Sequence, residues 1–146
     1  MNREHIQKAI AIMKRAEDDH FDMCDWQSDL LGLAKTIDEL HGCGNTACFA
    51  GYIAMAPEFK EDGGQQDIIC GDPEFPRDGT NFFHSGADAV AAWLDISKLL
   101  AYLIVHNFDG DHVYLVPYND VKPKHVIEVL QNILDGQYGE QRFSHG

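Results

Sequence analysis

Basic side chains are scarce in this chain. Eleven Lys and Arg stand against 24 Asp and Glu, for a formal net charge of -13 at pH 7. A phosphate backbone rewards clustered cations, so direct binding to DNA, RNA or an anionic membrane is not expected. Long apolar runs are missing too. The longest, Leu99 to Val105, has the length of a buried helix and falls far short of the roughly 20 residues that cross a bilayer. The opening Met1-Asn2-Arg3-Glu4-His5 starts a charged amphipathic segment without an apolar signal-peptide core. Cysteines number four, Cys24, Cys43, Cys48 and Cys70, and no export signal accompanies them. Reduced thiols in a cytoplasm are therefore expected rather than disulfides.

What remains suits one globular unit. The 146 residues are 45% hydrophobic, enough to build a core. Residues 2–16 carry Ile6, Ala9, Ile10 and Met13 on one face at helical spacing, with Asn2 as cap. Residues 28–40 fit a helix interrupted at Gly32. Thr46 can cap a short helix from Ala47 to about Ala56, which Pro57 ends. Glu58 to Thr80 is rich in Gly, Asp and Pro and reads as a surface loop, with Ile68-Ile69-Cys70 as a strand or buried loop. Ser85 can cap a helix reaching Leu94, and Asp95-Ile96-Ser97 a second one over Lys98 to His106. His112 to Pro117 is β-rich. Lys122 to Asp135 is amphipathic, with Asp120 as cap, Pro123 in the first turn and Gly136 at the end. The expectation is a mainly α single domain over residues 1–136, of about five helices with a small β element. It would carry a loop-rich insertion at 57–84 and a tail at 137–146.

The densest chemistry lies in His41-Gly42-Cys43-Gly44-Asn45-Thr46-Ala47-Cys48-Phe49-Ala50-Gly51-Tyr52. A thiol at a helix N-terminus meets unpaired N–H groups and the positive dipole end, which favour thiolate. Cys48 is thus a candidate nucleophile, with His112 as base and Asn119 or Asp120 as orienter; His84 is a second base. The run resembles the Cys-Gly-Ser-Cys-Trp of papain-like proteases only with an insertion. The opposed reading makes Cys48 a small buried hydrophobe in a tight, glycine-rich packing motif. A zinc site from His41, Cys43, Cys48 and Cys70 or Cys24 is a further alternative. Its Cys-x4-Cys spacing is loose, and no second tight pair follows. Asp109-Gly110-Asp111 lacks the remaining ligands of a calcium loop and reads as a solvated turn. The eight histidines are scattered, as surface or capping residues, and no cofactor is expected. Acidic clusters at Glu17-Asp18-Asp19 and at Glu58, Glu61 and Asp62 are candidate binding residues. They would be solvated faces or a mimic of nucleic-acid phosphates.

Phe21-x-Met23-x-x-Trp26, then Cys43-Gly44-Asn45-x-x-Cys48-x-Ala50-Gly51, then an Ala-rich helix into Leu94-Asp95-Ile96-Ser97 and a terminal helix, resembles a family of small proteins. These occur mainly in tailed bacteriophages and prophages, and their hallmark is a Trp followed by Cys-Gly-Thr-x-x-Cys-x-Ala-Gly-Trp. The resemblance spans most of residues 1–136 in order. Asn45 stands where Thr is usual and Tyr52 where Trp is usual, and residues 57–84 look inserted. The resemblance implies an accessory phage protein in the host cytoplasm and carries over no catalytic role. It also implies that the motif seats a short helix against the Trp26 region.

The expected function is a phage-encoded accessory protein that binds and modulates or inhibits a host protein, in one version as an acidic decoy against a nucleic-acid-binding defence component. The first alternative is a cysteine hydrolase or amidase built on Cys48. The second is a nucleotide-type small-ligand binder near Trp26, Tyr52 and Trp93.

Overall fold

Asn2 opens the first helix by accepting the His5 backbone N–H on its side chain at 3.0 Å, which satisfies one of the orphan donors of a helix start. The computed structural model describes residues 1–22, 35–43, 47–67, 71–78, 80, 82–106, 113–114, 116–117 and 120–137. For Glu39, Gly42 and Cys43 only the backbone is described. Helix α1 (Arg3–Arg15) buries Ile6, Ala9, Ile10, Ile12 and Met13, the stripe that a 3.6-residue period predicts. A 3-10 turn at Asp18–His20 follows. Phe21 then forms a parallel bridge with Ala47, closed by Ala47 N–H to the His20 carbonyl at 3.0 Å and Asp22 N–H to the Ala47 carbonyl at 3.1 Å. That bridge sets the end of α1 beside the central motif.

Helix α2 is Ile37–Cys43, so the expected helix over 28–40 begins later among the described residues and runs further; residues 23–34 lie outside them. Helix α3 (Phe49–Met55) is buried on every side. It starts after Cys48 rather than at Ala47; Thr46, its expected cap, lies outside the described residues. Ala56 is extended (φ -72°, ψ 135°), as a residue before proline prefers, and Pro57 opens α4 (Pro57–Glu61) as a first-turn proline should.

The stretch expected as loop carries α4 and a small antiparallel sheet, in the order β1 (Gln65–Gln66), β2 (Pro73–Pro76), β3 (Phe83–Ser85). Phe75 lies opposite His84 and Pro76 opposite Phe83. Both prolines of β2 stand at its ends, where a missing N–H is tolerated. Ser85, the expected helix cap, closes β3 instead, and Gly86 takes the N-cap at φ 62° and ψ -133°, a backbone that favours glycine.

Helix α5 (Ala87–Leu94) ends in a left-handed Asp95. Ser97 caps α6 (Lys98–Val105) by accepting the Leu100 N–H at 3.1 Å. Val113, Tyr114, Val116 and Pro117, the described part of the expected strand, are not in one; Tyr114 instead donates to the Ile104 carbonyl at 2.7 Å. The N-cap of α7 (Pro123–Leu134) is Lys122 and not Asp120, because the His125 ring accepts the Lys122 N–H at 2.8 Å. Gly136, at φ 78°, terminates α7 as expected. One buried cluster takes residues from each of the helices α1 to α7. In it α1, α5 and β2 pack on α3, α6 packs on α5, and α7 lies along α1. The molecule is mainly α with a small β element.

Candidate functional site

The end of α1, the start of α2 and the α3–α4 joint converge on an open groove of about 410 Å³. Ile37, Met55 and Pro57 supply its carbon surface; Arg15, Asp38, His41 and Lys60 supply its polar edge. Both cations at that edge are engaged. Arg15 holds Glu58 through two parallel bonds of 2.6 and 2.7 Å, the bidentate geometry that suits guanidinium and carboxylate. That grip keeps the Glu58 carboxyl below its ordinary range. Lys60 donates to the Lys35 carbonyl at 3.0 Å.

His41 joins the groove to the core. Its Nδ1 lies 2.9 Å from Glu17 Oε1 and its Nε2 3.0 Å from the Tyr52 hydroxyl. A carboxylate only accepts, so Nδ1 carries a proton, and the Tyr52 hydroxyl donates to the His20 carbonyl at 3.0 Å. Burial pushes the Tyr52 phenol above its ordinary value. The chain Glu17–His41–Tyr52 thus ties the 3-10 turn to α2 and α3. Both nitrogens of His41 are occupied within the protein, so the ring positions Glu17 rather than offering a free base to the groove.

A second polar cluster binds α1, α4 and α5. Asp62, just past α4, accepts from Lys8 Nζ on both oxygens at 3.0 Å and from Trp93 Nε1 at 3.0 Å. The His5 ring stacks on Trp93, with Nδ1 at 2.6 Å from the Trp93 carbonyl and Nε2 at 3.3 Å from Asp62. Burial works against the charge on Asp62, but the bonds from Lys8 and Trp93 outweigh it and hold the carboxyl below its ordinary value.

The acidic candidates divide accordingly. Asp18, Asp19 and Glu61 are exposed and form no ion pair among the described residues; Glu17 is exposed and holds His41. Glu58 and Asp62, expected as surface binding residues, face Arg15 and Lys8 instead. The expected surface is therefore smaller than the sequence suggests, and Asp38 lies at the groove beside Arg15.

Cys48 does not behave as the helix-terminus argument expects. It stands at the N-cap of α3, fully inside the core, and burial pushes its thiol up to about 12; the N–H groups of Gly51 and Ala50 offset this only in part. Of its expected partners, His112 and Asn119 lie outside the described residues. Asp120 is exposed, with its N–H on the Pro117 carbonyl. His84 sits in β3. For the zinc alternative, His41 is committed to Glu17 and Tyr52, while Cys70, Cys24 and the side chain of Cys43 lie outside the described residues. Among the described residues no three His, Cys, Asp or Glu side chains are grouped to hold a metal. Asp109-Gly110-Asp111 and Trp26 also lie outside them. Tyr52 and Trp93, expected to share a ligand pocket, are both buried and aim their polar atoms into the two separate clusters just described.

Sequence reasoning missed Arg15, Asp38 and Lys60 as groove residues, and missed the partners of His41. One signal for the latter was present. The Tyr at position 52 brings a hydroxyl that needs a partner when buried.

Among the described residues no helix is long and apolar enough to cross a membrane. Comparison with protein-family models, with curated proteins and with solved structures returns no match.

Proposed function

We propose that this chain is a phage-type accessory protein that binds, without chemistry, a host protein carrying a basic face, and so modulates or inhibits it. The observation that carries this reading is the state of the expected acidic residues. Glu58 and Asp62 are held by Arg15 and Lys8, whereas Asp18, Asp19 and Glu61 are exposed and form no ion pair among the described residues. With a net charge of -13, such a surface draws in a cationic partner and speeds encounter. In the decoy version the partner is a nucleic-acid-binding protein, whose phosphate site these carboxylates would occupy. The burial of Cys48 weighs against the hydrolase alternative.

The test is fluorescence anisotropy with a labelled oligolysine peptide. Binding is expected at low salt and should fall as salt rises, because exposed charges are screened. The double variant Asp18→Lys/Asp19→Lys should weaken it about tenfold, a difference of about 1.4 kcal/mol. The control variant Glu128→Lys/Asp135→Lys changes the net charge equally on α7 and should have a smaller effect. Equal losses in both variants would reduce the interaction to net charge and sink the local reading.

A further inference from the structure

We infer that a second groove, between α1 and α7, seats an extended acidic segment of a partner protein, with one carboxylate on Arg3 and another on Lys14. This goes beyond the basic-face reading and does not rest on it, since no Asp or Glu lines this groove among the described residues. Arg3, Gln7 and Lys14 recur along α1 at helical spacing and form one exposed stripe. Gln131 stands on the α7 side, and Ile10 and Leu134 close the floor of a space of about 330 Å³.

In a chain of net charge -13, this groove is lined by two cations and no anion. Lys8, Arg15 and Lys60 are engaged within the fold; Lys14 is exposed and forms no ion pair among the described residues. Arg3 gives one of its N–H donors to the Leu134 carbonyl at 2.9 Å. That bond fixes the guanidinium at one end of the groove and leaves its other donors for a carboxylate. The neighbouring carboxylates turn elsewhere. Glu4 meets Lys8 at 3.6 Å, and Asp135 accepts from the Gln131 amide at 3.4 Å. The Gln131 amide oxygen and the exposed Gln7 amide remain at the groove, and side-chain amides match the N–H and C=O groups of an extended chain. The lengths agree as well. Arg3 and Lys14 lie eleven residues apart on α1, about 16 Å at a rise of about 1.5 Å per residue. Five residues of extended chain cover that distance at about 3.3 Å each. Charges beyond about 8 Å are largely screened at physiological salt, so a segment with two carboxylates feels mainly the groove. A nucleic acid, or a second copy with its own -13, meets far more of the repulsion.

The experiment titrates two end-blocked peptides of equal composition and charge, Glu-Thr-Thr-Thr-Thr-Glu and Thr-Thr-Glu-Glu-Thr-Thr, into the full isotope-labelled chain at low salt, followed by NMR. The spaced peptide is expected to bind about fivefold tighter than its isomer, the effect of one exposed ion pair, and to move the side-chain amide signals of Gln7 and Gln131. Lys14→Gln should remove that gain. Lys98→Gln, which takes the same charge from the start of α6, should keep it. Equal affinities for the two peptides, or equal losses in the two variants, would overturn the site. Tighter binding of oligothymidylate than of the spaced peptide would overturn the choice of a protein segment. None of these outcomes bears on the oligolysine test, so the two readings fail separately.

Discussion

A thiol at the N-cap of α3 receives the N–H groups of Ala50 and Gly51, and burial still pushes Cys48 up to about 12. The sequence shows the helix start, which favours thiolate; it does not show that this start is inside the core, which opposes it more strongly. Native protein at pH about 8.5 should therefore leave Cys48 unlabelled by iodoacetamide, while protein in urea labels it readily. Mass spectrometry of the tryptic peptide decides between them, and fast native labelling would restore the nucleophile. Histidine gives the same lesson in reverse. His41 was legible only as a metal candidate, because its real partners, Glu17 and Tyr52, are distant in sequence and only the Phe21–Ala47 bridge brings the segments together.

Elements with a strong period and a definite stop were legible. Helices α1 and α7 lie within about a residue of where Asn2, Pro123 and Gly136 place them, and Ser97 caps α6 as read. The sheet was not legible. Its strands are two to four residues long and interleaved with Gly, Pro and Asp, too short to display alternation. What holds this region is packing that a one-dimensional reading cannot show. Gly64 lies directly against the ring of Phe59, so an added Cβ would strike the ring. The ring cannot swing away, since it is fully buried and meets Trp93 edge-on at 5.2 Å. Gly64→Ala should cost about 1–3 kcal/mol, read as a lower urea midpoint, although the backbone there is not left-handed. A neutral result would mean that Phe59 has room to move.

At the scale of the whole molecule, the charge of -13 was visible from the start, but not which carboxylates would turn inward. Asp62 and Glu58 do, and both are held below their ordinary values, Asp62 against the opposing effect of burial and Glu58 by Arg15. Burial also holds His106 below 6.5. A depressed value in the folded state means that the unfolded chain binds more protons, so stability falls with falling pH. The His106 contribution is complete above 6.5 and fades below it. Those of Glu58 and Asp62 are complete above their ordinary values of 4.5 and 3.8 and are lost as pH falls through the depressed ones. The urea midpoint should therefore decline from pH 7 to pH 3, and Asp62→Asn should start lower and decline less. A flat wild-type profile would contradict the assignment.

The pairing of the first long helix with the last has a consequence for how the chain is made. α1 leaves the ribosome well before α7, yet it packs on α7, its Arg3 guanidinium donates to the Leu134 carbonyl at 2.9 Å, and the Asn2 N–H reaches the Leu94 carbonyl. At about 5–20 residues per second, α1 waits through several seconds of synthesis for α7, although α3 and α5, which also pack on it, emerge sooner. Throughout that interval the side of α1 that meets α7 is open to chaperones and proteases, and the arrival of α7 closes it.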